Sequence, residues 1–466
     1  MTAAEYLRLP AVRDRIREFC GSNGPDDPPS CAFISRLPRT PYPTWEDAVR
    51  SSPVDLPRVL DLGMDVARSL WDYRWLLVHL DLDYMNPAAP ADVFLRPLHA
   101  YERLEPLAAV VRRELAALDL PLRWTMTGRG YHVSGVVPLA SPIVDRLAAA
   151  GRMAATRALD DRLAPGRWQI RPPAAHDEAA LGLGLVLESL AHRVLRRAGW
   201  DAIPVVLDNV EVGVAGEGRE AASFDLSYLG DPLETRQVRV DFGTYQTPRT
   251  RPDMFGAASA LPPFAAVPCG DRPFEWLLEH ARPLEEAARL AEGARSVLPD
   301  VSAGVARLLD AYEGSPVAAF HRDYYAVPIP APESWTATYD AFDPHTLPPC
   351  VAEPLECPND RLLRPAVLQH VARALLAAGW HPRHVAGLVL AKYARDQGWG
   401  SRWRRLDPAR RADFDVRVFA GLVLTGLDRG VDFNCVSAQE KGLCPLSGCR
   451  HDLRTDRDRL LERTPA

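Results

Sequence analysis

The segment LVHLDLDY, residues 77 to 84, places two carboxylates two positions apart inside an apolar, strand-like run. Successive side chains of a β-strand point to opposite faces, so Asp81 and Asp83 share a face with His79, while the aliphatic residues between them turn into a core. Two like charges about 5 Å apart repel by about 3 kcal/mol at an effective dielectric constant of about 20, which favours a raised pKa or a bound hard cation. Mg²⁺ or Mn²⁺ suits such oxygen ligands, and the alternative is a solvated strand face that carries two acids.

The bulk composition is that of an ordinary globular chain of 466 residues, 47% of them hydrophobic and 25% charged, which is long enough for two or three domains. The net charge of −6 excludes a strongly basic whole-protein surface, so any nucleic-acid-binding surface must be local. The sequence contains no stretch of about 20 apolar residues, and its N-terminus lacks the apolar core of a signal peptide. We therefore expect a cytoplasmic protein without a membrane partner.

Hydrophobic periodicity divides the chain into four segments and predicts an α+β fold. We expect a helical part at residues 1–75, a core at 76–265 that contains an antiparallel sheet with flanking helices, a helical connector and extended linker at 266–349, and an all-α, cysteine-containing part at 350–466. Within the core, the D-x-D strand is followed by a helix near residues 98–118 and then by a hairpin.

That hairpin carries a second motif, TGRGYH at residues 127 to 132, with its strands joined through GRG. The glycines let backbone N–H groups approach an anion closely, and Thr127, Arg129 and His132 add a hydroxyl, a guanidinium and an imidazole. These groups are the parts of a triphosphate-binding cradle. The alternative is a tight turn beside a packed histidine.

A third acid is predicted on a second hairpin, in which ASFDLSYL and TRQVRVDF flank the turn GDPLE. Alternation along the later strand puts Gln237, Arg239 and Asp241 on one face. Asp225 in the earlier strand also points a carboxylate outward, so it competes with Asp241. We prefer Asp241 because of its VDF context and the arginine-containing loop QTPRTRPDMFG that follows it.

Residues 70 to 265 resemble the catalytic subunit of archaeo-eukaryotic primases and primase-polymerases, because a D-x-D strand, a T-G-R-G-x-H hairpin and a later strand ending in V-D follow one another. The resemblance implies a primase-type catalytic core with an RRM-like antiparallel sheet and two bound divalent ions, Mg²⁺ or Mn²⁺. The residues it assigns are Asp81, Asp83 and Asp241 as metal ligands, Thr127, Arg129 and His132 at the nucleotide phosphates, and Arg249 and Arg251 as further phosphate-binding residues.

Five of the eight cysteines lie in the last quarter of the chain, where a metal centre is favoured over disulfides in a reducing compartment. This region resembles the C-terminal domain of the primase large subunit, in which one cysteine before a helical bundle and three after it hold a 4Fe-4S cluster. The matching positions are Cys350, Cys435, Cys444 and Cys449, with Cys357 as the rival first ligand. A structural zinc ion is the alternative to the cluster.

Between these cysteines, the segment WGSRWRRLDPARR interleaves arginines with tryptophans. Cations beside stacking surfaces suit the binding of a single-stranded template or an initiating nucleotide, and the alternative is a solvated arginine-rich connection with packed tryptophans. The residues concerned are Arg402, Arg404, Arg405, Arg410 and Arg411, with Trp399 and Trp403.

Together the resemblances imply a template-directed DNA primase or primase-polymerase, a nucleotidyltransferase that makes primers from nucleoside triphosphates on single-stranded DNA. A helicase or another replication protein is the class of protein partner expected. Two alternatives stay open. One is an end-joining-type repair polymerase, which shares the catalytic motifs but usually lacks such a cysteine-rich tail. The other is a catalytically silent, metal-stabilised nucleic-acid-binding subunit.

Overall fold

The computed structural model shows an α+β protein, which confirms the fold class predicted from the sequence. None of the described helices combines the length and the apolarity that crossing a membrane requires. The structure describes residues 1–24, 26–37, 48–163, 170–198, 203–213, 219–395, 407–444 and 449–462.

The strands are short, apart from two long ones that carry the motifs described above. In chain order they are β1 (Ile34–Arg36), β2 (Val49–Ser51), β3 (Val66–Ser69), β4 (Trp75–Met85), β5 (Arg123–Met126), β6 (Gly130–Pro138), β7 (Val205–Leu207), β8 (Ala221–Asp225), β9 (Gln237–Arg239), β10 (Thr244–Tyr245), β11 (Phe264–Ala265) and β12 (Val267–Pro268).

The helices of the first two thirds of the chain surround these strands. They are α1 (Ala3–Arg8), α2 (Pro10–Phe19), α3 (Leu56–Asp61), α4 (Asp92–Leu95), α5 (Pro97–Ala117), α6 (Pro142–Gly151), α7 (Arg157–Leu163), α8 (Ala174–Arg197), α9 (Thr247–Thr250), α10 (Pro252–Phe255), α11 (Phe274–Ala281), α12 (Leu284–Gly293) and α13 (Ser302–Glu313).

The last third of the described chain contains helices and no strand. The helices are α14 (Pro316–Ala326), α15 (Pro349–Glu356), α16 (Asn359–Leu362), α17 (Pro365–Ala377), α18 (Pro382–Tyr393), α19 (Pro408–Leu424), α20 (Cys435–Glu440) and α21 (Leu453–Glu462).

The largest sheet has six strands in the order β12-β5-β6-β4-β8-β7. Its neighbouring strands are antiparallel, apart from the parallel pair β7 and β8. A second sheet has the order β2-β1-β3-β9, and β10 pairs with β11. The predicted D-x-D strand is β4, the predicted T-G-R-G-x-H hairpin is β5 with β6, and the predicted helix after the D-x-D strand is α5.

Strand β4 lies between β6 and β8 and holds the D-x-D motif in the middle of the sheet. Its aliphatic residues turn into the core, where Leu80 and Leu82 are fully buried. Burying each such side chain stabilises the fold by about 2 kcal/mol, and a one-residue slip would expose the whole row, so the register is strongly fixed. That register pairs Asp81 with His132 of β6 and with Asp225 of β8.

The prediction that the strands around GDPLE form a second hairpin is wrong. β8 pairs with β4 and β7 in the six-stranded sheet, whereas β9 pairs with β3 in the four-stranded sheet. A 3₁₀ turn at Ser227–Gly230 follows β8, and the chain then crosses to the other sheet. The two strands are therefore near neighbours in sequence without being partners.

The segment pattern also differs from the prediction at three places. The N-terminal part contains β1, β2 and β3 in addition to helices. Strand β12 pairs with β5 and so continues the sheet just beyond residue 265. Within residues 266–349, where we expected helices up to about residue 313 and an extended stretch after it, helix α14 continues the helical part to Ala326.

The C-terminal helices share one contiguous apolar core with the rest of the chain. Helix α19 is buried along most of its length and contacts both α14 and the 3₁₀ turn that follows β8. Buried ion pairs support this packing: the Arg417 Nε atom lies 2.9 Å from a carboxylate oxygen of Glu188, and the Arg411 Nε atom lies 2.5 Å from one of Asp231. The part from residue 350 onward is thus joined closely to the α+β part.

Candidate functional site

Three acids meet at a cavity of about 460 Å³ on one face of the six-stranded sheet. Asp81 and Asp83 come from β4 and Asp225 comes from the adjacent strand β8, directly opposite Asp81. Asp225 is held in place by the side-chain amide of Asn209, which donates to its Oδ2 atom, and by the backbone N–H of Ser227, 2.8 Å from its Oδ1 atom. Two adjacent strands therefore present three carboxylates to one space.

The electrostatics of the three acids favour a bound cation. Burial, together with the carboxylates of Asp83 and Asp225, raises the pKa of Asp81 well above its usual value. Burial also raises the pKa of Asp83, while the Arg129 guanidinium opposes that shift. The Oδ1 atom of Asp81 is buried and accepts no hydrogen bond from the described residues. A buried carboxylate oxygen without a partner, beside two more carboxylates, fits the oxygen-rich coordination of Mg²⁺ or Mn²⁺.

The T-G-R-G-x-H hairpin contributes three residues to the lining of the cavity, which are Thr127, Arg129 and His132. The Arg129 Nη2 atom lies 3.1 Å from Asp83 Oδ2, and the His132 Nε2 atom lies 3.7 Å from Asp81 Oδ2. Thr127 also lines the cavity, but its hydroxyl holds the turn together by accepting the N–H groups of Arg129 and Gly130 at 3.3 and 3.2 Å. The turn is further tied to helix α5, because the Tyr101 hydroxyl donates to the Thr127 carbonyl oxygen at 2.5 Å.

Asp241, the preferred third acid of the sequence prediction, does not line this cavity, and the competing residue Asp225 does. The Asp241 carboxylate is fully buried and already paired: Arg123 Nε lies 2.6 Å from its Oδ2 atom and Thr125 Oγ1 donates to its Oδ1 atom at 2.6 Å. We therefore correct the assignment. Asp241 ties the end of β9 to β5, and Asp225 joins Asp81 and Asp83.

Arg249 and Arg251, expected at the phosphates, do not line the cavity either. Arg249 is exposed on helix α9, and Arg251 pairs with Asp253 two residues further along at 3.0 Å. The arginines that do line it, besides Arg129, are Arg50, Arg236 and Arg239.

Several cavity residues were not assigned from the sequence. His79 is placed on the shared face by alternation, so the pattern located it without giving it a role. Alternation along β9 likewise placed Arg239 on one face of its strand without giving it a role. Asn209 and Tyr228 have no local signal, because they reach the cavity only through the pairing of β7 and β8 with β4.

The four cysteines predicted to act together do converge. Cys350, Cys435, Cys444 and Cys449 line a separate cavity of about 100 Å³, whereas Cys357 is exposed and outside it. Burial, and then the neighbouring thiols, raises the pKa of Cys350 to about 12. The structure thus favours Cys350 over Cys357 as the first member of the set.

The spacing of these sulfurs bears on the choice between zinc and an iron-sulfur cluster. A single tetrahedral zinc ion with Zn–S bonds of about 2.3 Å holds its sulfurs roughly 3.8 Å apart. In the described chain, His79, Asp81 and His132 form a group whose donor atoms all lie within 4.8 Å of one another, and the four sulfurs do not form such a group. Four thiolates around one cavity can hold either a zinc ion or a polynuclear iron-sulfur cluster.

The predicted nucleic-acid-binding arginines divide into two groups. Arg402, Arg404 and Arg405 lie outside the described residues. Arg410 and Arg411 are largely buried in ion pairs with Asp177 and Asp231, so they are not available to a nucleic acid.

We compared the chain with protein-family models, with curated proteins and with solved structures, and none of the three comparisons finds a match.

Proposed function

We propose that this protein is a template-directed primase-polymerase, which joins nucleotides from nucleoside triphosphates into a primer on single-stranded DNA. The observation that carries the proposal is the meeting of Asp81, Asp83 and Asp225 on adjacent strands of one cavity, with Arg129 beside them. The cavity volume of about 460 Å³ lies in the range of small-molecule sites and is sufficient for a nucleotide.

The acids account for the ion requirement of such a reaction. Asp81, Asp83 and Asp225 would hold two divalent ions, which when bound activate the attacking 3′-hydroxyl and neutralise charge on the phosphates. The unpartnered Oδ1 atom of Asp81 and the repulsion among the three carboxylates are the features that such binding would relieve.

The cationic and neutral donors account for phosphate binding. Arg129 presents a guanidinium that pairs with Asp83 and can donate two N–H groups to phosphate oxygens in a forked geometry. Arg239 also lines the cavity; its Nη1 atom lies 3.0 Å from Asp65 Oδ2 and its guanidinium lies 4.2 Å from the centre of the Tyr245 ring, so these contacts fix its position at the cavity wall. Burial lowers the pKa of His132 well below its usual value, so His132 serves as a neutral hydrogen-bond donor. These groups would stabilise the charge that develops on the leaving pyrophosphate.

The second centre completes the proposal. Cys350, Cys435, Cys444 and Cys449 would hold a 4Fe-4S cluster in the C-terminal helical part, where it supports binding of the template and the first nucleotide. Single-stranded DNA and nucleoside triphosphates are the partners that follow.

The experiment compares Asp225→Asn with Asp241→Asn in the full-length protein. Each variant is incubated with single-stranded DNA, Mg²⁺ or Mn²⁺ and labelled ribo- or deoxynucleoside triphosphates, and de novo products are measured. Loss of one carboxylate from the cavity lowers the rate by about 100-fold or more. The control variant Asp241→Asn removes a more deeply buried acid that does not line the cavity, so the activity per folded molecule stays near that of the wild type.

Two outcomes would contradict the proposal. If the wild-type protein makes no product on any template under these conditions, the polymerase function is wrong. If Asp241→Asn abolishes synthesis and Asp225→Asn does not, the geometric choice of the third acid is wrong. DNA binding and thermal unfolding of both variants show whether each has folded.

A further inference from the structure

Two histidines flank Asp81 on the cavity side of the sheet. His79 precedes Asp81 on β4 with its side chain on the same face, and His132 lies opposite Asp81 on β6. The two imidazole rings meet edge to face, with their centroids 4.9 Å apart. One donor atom from each of the three residues lies within 4.8 Å of the other two.

The histidines are placed as ligands. His79 is buried, His132 is half-buried, and both side chains line the cavity beside Asp81. The Nδ1 atom of His79 lies 2.8 Å from the Ser134 hydroxyl, which orients the ring and leaves its Nε2 atom without a hydrogen bond among the described residues. Metal-binding histidines typically make a hydrogen bond through the ring nitrogen that does not contact the metal.

Asp81, the acid that the two histidines flank, has weaker contacts with hydrogen-bond donors and cations than Asp83 and Asp225 have. Arg129 pairs with Asp83, and Asn209 and Ser227 donate to Asp225. Asp81 has only the distant His132 contact at 3.7 Å, and its Oδ1 atom accepts no hydrogen bond from the described residues.

We propose that His79, Asp81 and His132 form a binding site for a divalent transition-metal ion such as Mn²⁺, Co²⁺ or Zn²⁺. Mg²⁺ strongly prefers oxygen ligands, whereas imidazole nitrogens suit these transition metals. Two imidazoles and one carboxylate leave coordination positions for water or a phosphate oxygen, as in metal sites that bind substrate. The inference holds whether or not the chain makes primers, because it depends on the nitrogen donors and not on the acids Asp83 and Asp225.

The experiment adds one equivalent of Mn²⁺ to nucleotide-free, full-length protein and records pulsed electron paramagnetic resonance spectra, which detect nitrogen nuclei bound directly to the ion. Mn²⁺ is the probe because thiolates bind it weakly, so the cysteines do not compete. We expect coupling to histidine nitrogen, and growth with ¹⁵N-labelled histidine should replace the ¹⁴N signals by ¹⁵N signals. Bound Mn²⁺ without any histidine coupling would overturn the inference, and this measurement needs no variant.

Variants then assign the ligands. His79→Gln and His132→Gln are each expected to remove one nitrogen coupling and to weaken Mn²⁺ binding by about 10-fold or more. His192→Gln is the matched control, since it removes another buried histidine that lies outside the cavity, and it should leave both couplings. Unchanged spectra in His79→Gln and His132→Gln would contradict the assignment.

The test separates this inference from the proposed function. A protein that makes primers but shows no nitrogen coupling contradicts the transition-metal site alone. A protein that shows the coupling but makes no primers contradicts the polymerase proposal alone. Asp225→Asn, which should lose synthesis, should keep the nitrogen couplings.

Discussion

Gly130 is required for the packing of two strands, whereas the sequence suggested that it serves anion binding. The sequence indicates a glycine that lets backbone approach an anion. In the structure Gly130 pairs with Asp83 across β6 and β4, and a Cβ atom added to it would lie 1.8 Å from the Leu82 carbonyl oxygen. The obstacle is backbone, which cannot rotate away as a side chain can. The small residue is therefore needed for β6 to lie close to the acid-bearing strand.

We expect Gly130→Ala to lower the free energy of unfolding by about 3 kcal/mol, because the added methyl group overpacks a fixed strand pair. Urea unfolding followed by circular dichroism measures the change. Gly293→Ala is the matched control: it lies at the end of α12, where an added Cβ atom meets no other atom within 4 Å. That variant should be unchanged or more stable by up to about 1 kcal/mol. Equal effects of the two substitutions would contradict the packing argument.

At this scale the sequence predicts local facts well. The common face of His79, Asp81 and Asp83 follows from alternation alone, and the structure confirms it. The choice between Asp225 and Asp241 does not follow from alternation, because each points outward from its own strand. Only the pairing of β8 with β4 decides it, and that pairing joins positions about 140 residues apart.

At the scale of elements, the long strands and helices were predictable and the short ones were not. β4 and α5 each carry a clear period over many residues. β9 has three residues and pairs with β3, which is about 170 residues earlier in the chain. A local rule that joins neighbouring strands into a hairpin fails here, because the chain between β8 and β9 leaves one sheet for the other.

Helix α19 could not be predicted to lie in the interior from its charged sequence. Arg410, Arg411 and Arg417 are nearly completely buried or paired because acids from distant elements meet them. Asp415 on the same helix is only 6% exposed, and burial raises its pKa to about 6, although Arg411 opposes the shift. Ionisation of Asp415 therefore works against folding.

This gives a prediction for the pH dependence of stability. A carboxyl group whose pKa is about 4 in the unfolded chain and about 6 in the folded protein contributes stability below pH 4, and loses it as the pH rises through 6. Asp415→Asn mimics the protonated form. We expect the variant to gain up to about 3 kcal/mol over the wild type between pH 4 and pH 6, measured by urea unfolding at each pH.

Asp458→Asn, at an exposed position on α21, is the control for Asp415→Asn and should follow the wild-type curve. If Asp415→Asn runs parallel to the wild type across this range, the ionised form of Asp415 carries no folding cost and the explanation is incorrect.

At the scale of the whole molecule, the cysteine cavity brings together residues that are up to 99 positions apart, from Cys350 to Cys449. The sequence predicted the set through a resemblance, and it left Cys350 and Cys357 as rivals because both precede the helical bundle. Their positions relative to α15 differ: Cys350 is the second residue of the helix and is buried, and Cys357 follows its end and is exposed.

We expect Cys350→Ser to lower the iron and sulfide content of anaerobically purified protein, while Cys357→Ser keeps the wild-type content and brown colour. Chemical iron and sulfide assays, normalised to protein, measure both. A wild-type protein that contains zinc and no iron would contradict the cluster. Equal loss in both variants would contradict the choice of Cys350.

The ion pair between Arg411 and Asp231 bears on whether the protein can be truncated before residue 350. A shortened gene that ended at codon 349 would produce a chain in which Asp177, Asp231 and Glu188 lose the arginines that α19 supplies. Each of these acids would keep one other partner, which is Arg157, Arg236 and His321 respectively. Weaker compensation at three buried carboxylates together lowers the stability of a fold that, like most, is only marginally stable. The apparent boundary near residue 350 is therefore a poor site for truncation. The two parts should be expressed and purified as a single chain.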